Sequence, residues 1–139
     1  METSCFSRMK TIVPPAYPVA ICVGLPKWYK GAALQELAPT RRMLKMSHEE
    51  YEPLMRGILA ELDPAAIAAQ LGSGAVLLCW EKPFLRCHRR MVAEWLEDAL
   101  GVVIPELGYS RSATISYAAI HDKPTIPKSM TMPLQLHLL

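Results

Sequence analysis

Apolar and polar positions alternate between two periods along the chain, and the switches between them mark the elements. Val19-Ala20-Ile21-Cys22-Val23 is a short apolar run closed by Gly24, the pattern of a buried strand. The loop Leu25 to Gly31 follows, and residues 32–37 predict a helical turn or two ended by Pro39. Ser47 and Glu50 stand at capping-box spacing. Behind them Tyr51, Leu54, Met55, Ile58, Leu59 and Leu62 form one helical stripe. Pro53 suits that helix only if the true start lies a residue or two later. Asp63-Pro64 opens a second helix, with Ile67, Ala68 and Leu71 as its apolar face and Gly72 as its end.

Ala75-Val76-Leu77-Leu78-Cys79-Trp80 is apolar at successive positions, as a strand covered on both faces must be. After the loop from Glu81 to Arg86, the spacing of Met91, Val92, Trp95, Leu96 and Ala99 predicts a helix closed by Gly101. Val102 to Ile104 predicts a last short strand. Strands alternating with helices imply an α/β domain: three layers, with a short, mostly parallel sheet flanked by helices. The expected boundaries are a flexible lead-in over 1–16, the domain over 17–108, and an extended tail over 109–139. The tail holds Pro124, Pro127 and Pro133 and has no sustained period. It is expected to pack on the domain or on a second copy of the chain, giving a homo-oligomer.

Composition narrows the class. A chain of 139 residues with 51% hydrophobic and 20% charged positions can form a core of its own. A formal net charge of +2 argues against nucleic acid as a general partner. No apolar run reaches the length of a membrane helix, so no membrane partner is expected. The four cysteines, Cys5, Cys22, Cys79 and Cys87, are read as free thiols in a reducing cytoplasmic setting, because the opening residues lack the form of a secretory leader.

One corner concentrates the chemistry. Ligands of parallel sheets bind beyond the carboxyl ends of strands, where Cys79 and Glu81 fall two residues apart. Cys87, His88 and Arg89 open the next helix, whose first N–H groups and partial positive charge favour an anion. Cys87 is read as an activated nucleophile, because cations and helix starts lower thiol pKa; an inert cap cysteine is the plain alternative. His88 would move protons or merely cap the helix. Glu81 would act as a base, hold a ligand hydroxyl, or pair with Arg86 or Arg89. Arg89, with Arg86 or Arg90, would fork onto the anion. Cys79 is a further contact or simple strand core, and Lys27 and Trp28 would line the opposite wall.

Zinc on Cys79, Cys87 and His88 is disfavoured by this spacing, which lacks a C-x-x-C pair and asks adjacent residues to reach one ion. No dinucleotide, phosphate-loop or nucleophile-elbow motif is present, and no cofactor is expected. The expected function is a site for a phosphorylated or nucleotide-like small molecule, catalytic through Cys87. The alternative is a binding module that sequesters such a ligand or docks on a protein.

The run Val76 to Pro83, then Cys87-His88-Arg89-Arg90, then Ala93-Glu94-Trp95-Leu96, resembles the signature of the domain-of-unknown-function 488 family. Gly24 to Gly31, Leu37-Ala38-Pro39 and Gly101 to Glu106 are similar to its flanking parts, so the resemblance spans about residues 17–109. It implies a small α/β domain sharing Cys79, Glu81, Cys87, His88 and Arg89, and it implies no activity. Trp80 stands where a smaller residue is common in that family.

Overall fold

The computed structural model describes residues 1–83 and 85–119. Four parallel strands form the sheet: β1 (Glu2–Cys5), β2 (Tyr17–Ala20), β3 (Ala32–Ala33) and β4 (Ala75–Cys79), in spatial order β1-β4-β2-β3. The α-helices are α1 (His48–Ala60), α2 (Pro64–Leu71) and α3 (His88–Leu100). The chain is therefore a small α/β domain, as its pattern predicts.

Every residue of β4 is buried, which follows from its central place between β1 and β2. Ala75 and Leu77 turn toward Met55 and Leu59 of α1, Ile67 and Leu71 of α2, and Met91, Val92 and Leu96 of α3. Val76 and Leu78 turn the other way, onto Phe6, Ala20 and Tyr29. The helices thus cover one face. The 3₁₀ segment Phe6–Thr11 and the loop carrying Tyr29 cover the other.

The helix ends obey local chemistry. Ser47 caps α1 by accepting the Glu50 N–H. The helix begins at His48, so Pro53 lies inside it rather than in a first turn that starts later. The missing proline N–H leaves the Glu49 carbonyl without its helical donor, and both residues are exposed, so that carbonyl is open to solvent. Asp63 caps α2 through the Ala65 N–H at 3.0 Å. Asp63→Ala is expected to lower unfolding stability by about 1 kcal/mol, read from a urea midpoint; an unchanged midpoint would show that the cap contributes nothing. Gly101 ends α3 at φ +67°, where a side chain would be strained.

Three sequence expectations are corrected. Residues 2–5 are not part of a flexible lead-in but an edge strand with Thr3, Ser4 and Cys5 fully buried. Their polarity hides the strand from an apolar-run criterion. Residues 32–37 are not helical throughout: Ala32–Ala33 pairs with β2, and only Gln35–Leu37 makes a 3₁₀ turn. Val102 to Ile104 is not a strand, and Val102 and Val103 are exposed. Pairing shifts past Pro105, where Thr3 bridges Glu106 and the Leu107 N–H reaches the Thr3 carbonyl at 2.7 Å.

The segment after Tyr109 docks on α3. Arg111 forks onto Glu97 at 2.8 and 3.0 Å, and the Tyr117 N–H donates to Glu94 at 2.7 Å. Residues 120–139, with His121, His137 and the proposed oligomer contact of the tail, lie outside the described residues.

Candidate functional site

The carboxyl ends of β2 and β4 and the first turn of α3 meet at a cavity of about 310 Å³. Cys22, Cys79, Glu81, Cys87 and His88 line it, with Tyr51 from α1 and Tyr117 from the docked segment. Arg86 and Arg41 supply positive charge to its wall. The position beyond the strand ends is the one expected of a ligand site in a parallel sheet.

Cys87 is the N-cap of α3, with φ −148° and ψ 142°, and its side chain caps no backbone N–H. The sulfur is left to its neighbours. His88 Nδ1 lies 3.9 Å from Cys87 Sγ and 3.5 Å from Cys79 Sγ. The other ring nitrogen, Nε2, bonds the Ile21 carbonyl. A carbonyl only accepts, so Nε2 carries a proton, and in the neutral ring Nδ1 presents a lone pair to both sulfurs. The Cys79 thiol also reaches Glu81 Oε2 at 3.5 Å.

The two thiols are driven apart in acidity. Burial opposes ionisation of Cys87, but it is outweighed by the hydrogen bond from Cys79, the Arg89 charge and His88, leaving the pKa well below the ordinary thiol value. Cys79 is held well above that value by its hydrogen bond to Cys87 and by burial, so it keeps the proton it donates. Desolvation and the neighbouring Cys87 raise the Glu81 carboxyl. Burial pushes the Cys22 thiol up to about 11. It also raises Tyr51 and Tyr117, which remain hydroxyl donors. The Tyr117 hydroxyl is buried without a partner among the described residues, a donor left over on the cavity wall.

The arginines divide differently from the sequence reading. Arg86 lines the cavity, its guanidinium 5.5 Å from the centre of the Tyr117 ring. Arg89 does not present its fork to the cavity. It is 1% exposed and gives that fork to Glu106, at 3.1 and 2.7 Å, while Nη1 holds the Glu81 carbonyl at 2.6 Å. Arg90 is likewise turned inward, to Thr3 Oγ1 at 2.9 Å and the Ile104 carbonyl at 2.8 Å. Both belong to the frame, and Arg89 reaches the site only through its charge and the Glu81 backbone. Lys27 is exposed and stands apart from the cavity. Trp28 packs edge-on against Phe6, ring centres 6.2 Å apart, so it lines no opposite wall. Trp80 does line the cavity, pinned by its indole N–H to the Gly24 carbonyl at 2.7 Å.

The sequence reading missed Cys22, Tyr51, Tyr117 and Arg41. Tyr51 was legible only as part of an apolar stripe, and Tyr117 sits in a segment without periodicity. Cys22 gave the one available signal, a cysteine ending a predicted strand beside the Cys79 strand.

Comparison with known proteins agrees with the motif. The family described as "Domain of unknown function DUF488" matches residues 27–96, half of the 139-residue chain, from the loop after β2 through most of α3. That span contains Cys79, Glu81, Cys87, His88 and Arg89. No curated protein and no solved structure matches the chain. Among the described residues, no helix is long and apolar enough to cross a membrane.

Proposed function

The chain belongs to the DUF488 family, and on that premise we propose that its cavity binds a phosphorylated or nucleotide-like small molecule and acts on it through Cys87 as nucleophile. The carrying observation is the convergence of Cys87 Sγ and the His88 Nδ1 lone pair, 3.9 Å apart, on one cavity wall. Nδ1 accepts a thiol proton, and the first turn of α3 and Arg89 stabilise the thiolate. The anion contact moves from Arg89, whose fork is held by Glu106, and from Arg90, which is turned inward to Thr3 and Ile104, to Arg86 and Arg41, which line the cavity. The Tyr117 hydroxyl is a further donor, and Tyr51 and Trp80 put aromatic side chains on the wall beside it.

The proposed reaction is displacement. Cys87 Sγ bonds to an electrophilic carbon or phosphorus of the ligand. The bond to the leaving atom breaks with its electron pair, and the Glu81 carboxyl protonates that atom. Water, deprotonated by the resulting Glu81 carboxylate, then releases the ligand from sulfur, so the sum is hydrolysis.

Calorimetric titration with nucleoside mono- and diphosphates and with sugar phosphates tests the ligand class. Binding by one class is expected, weakened about tenfold or more in Arg86→Ala, the scale of one charge-assisted hydrogen bond. Failure of every such anion to bind would overturn the anionic-ligand reading. Product analysis then decides turnover: a ligand returned intact after incubation makes the domain a sequestering module, and a hydrolysed one makes it an enzyme.

A further inference from the structure

Cys79 Sγ, Cys87 Sγ and His88 Nδ1 lie within 4.8 Å of one another, all three residues buried. A tetrahedral zinc ion, with bonds of about 2.3 Å to sulfur and about 2.0 Å to nitrogen, sets its sulfur and nitrogen ligands about 3.5 Å apart and its two sulfurs about 3.8 Å apart. Nδ1 stands 3.5 Å from Cys79 Sγ and 3.9 Å from Cys87 Sγ. Two edges of such a tetrahedron are therefore nearly in place. The sulfur–sulfur edge needs a contraction of at most about 1 Å, the reach of side-chain torsions.

The imidazole is set for a metal as well. Metal-bound histidines characteristically donate their second ring nitrogen to a carbonyl or carboxylate, which fixes the tautomer. His88 does so through Nε2 to Ile21. Adjacent Cys87 and His88 can both face one ion because Cys87 is an N-cap with extended backbone, outside the helical spiral, so the ordinary separation of successive helical side chains does not apply to them.

We infer that Cys79, Cys87 and His88 form a three-ligand site for zinc, or a comparable thiophilic divalent ion, with the fourth position open to the cavity. Two thiolates and an imidazole suit a borderline-soft ion over a hard one. Three protein ligands with an open fourth position is the arrangement that admits water or a ligand atom to the metal. Binding releases thiol protons to solvent. The bound ion occupies Cys87 Sγ, so the metal-loaded and nucleophilic forms exclude each other. The inference shares residues with the proposed function but does not rest on it.

The test titrates the full chain, freed of metal by a chelator, with Co²⁺ and then Zn²⁺. Expected are one equivalent of Co²⁺ with sulfur-to-metal charge-transfer absorption and tetrahedral d–d bands, bleached by one equivalent of Zn²⁺. Zinc should also shield Cys87 from iodoacetamide, and chelator should restore labelling. Cys79→Ser and His88→Ala are each expected to weaken zinc binding about a hundredfold or more, exceeding the loss seen when only a supporting contact is removed. Cys5→Ser, outside the cluster, should leave it unchanged. An octahedral cobalt spectrum without the charge-transfer band, or wild-type affinity in Cys79→Ser, would overturn the inference. So would undiminished Cys87 labelling in saturating zinc, a result that leaves the nucleophile reading standing. Tight zinc binding by a chain whose metal-free Cys87 does not react would do the reverse.

Discussion

Glu106→Ala is expected to cost about 3–5 kcal/mol of unfolding stability, the penalty for leaving a buried partner charge uncompensated. Its carboxylate takes both arms of the Arg89 fork in a pair whose side chains are 1% and 5% exposed. It also accepts the Thr3 hydroxyl at 2.5 Å. Glu106 sustains the Arg89 charge: burial works against the guanidinium, yet the carboxylate overrides it and holds the pKa above the ordinary arginine value. Against a usual total of about 5–15 kcal/mol for a domain, such a loss moves the urea midpoint far. Arg89→Leu combined with Glu106→Leu should recover part of it, because neither charge is then left alone. A loss below about 1 kcal/mol in the single variant would mean that water reaches the pair and that it is not the buried tie described here.

The second large effect concerns the thiol. In metal-free protein at pH 6, His88→Ala is expected to slow alkylation of Cys87 about tenfold. An ordinary thiol with pKa near 8.5 is only about 0.3% thiolate at that pH, and the thiolate is the reacting species. The native Cys87 is depressed far below that range by the Cys79 hydrogen bond, Arg89 and His88, against burial. Loss of the imidazole moves it back toward the ordinary value. The sign is that of any depressed acid: the anion persists at lower pH in the native protein, so the variant falls behind as pH drops and catches up as pH rises past the thiol range. Much of the gain in thiolate is offset by the lower nucleophilicity of a more acidic thiol, which keeps the ratio near ten rather than several hundred. Equal rates at pH 6 would show that His88 does not tune the sulfur. Rates that differ by the same factor at every pH would point to altered access instead of altered acidity.

The parts of this fold legible in the sequence are those whose stability comes from apolar period and local caps. β4 reads directly because it is covered on both faces, and α1 and α3 because their stripes face one core. The Ser47 and Asp63 caps read from residue type alone. β1 does not, because Thr3 and Ser4 are buried without being apolar; Thr3 is satisfied by Glu106 and by Arg90, 103 and 87 residues away. The same long-range contacts explain the arginines. Three guanidinium groups near a helix start resemble an anion site, and nothing local reveals that Arg89 and Arg90 are engaged by Glu106, Thr3 and Ile104. The cluster of Cys79, Glu81, Cys87 and His88 is legible because a strand end and the following helix start must meet. Its far wall, made by Tyr51, Tyr117 and Cys22, comes from elements that sequence order alone does not bring together.

The most direct test of the central claim is the pH profile of Cys87 alkylation in metal-free, wild-type protein, located by peptide mass spectrometry. The account predicts that Cys87 is the thiol labelled at pH 6, with a rate that stays level up to neutrality, while Cys22, pushed up to about 11 by burial, and Cys79, held well above the ordinary thiol value by its hydrogen bond to Cys87 and by burial, remain silent. A Cys87 rate that climbs tenfold per pH unit between 6 and 8, as for an ordinary thiol, would contradict a poised thiolate and return Cys87 to the role of a buried helix cap.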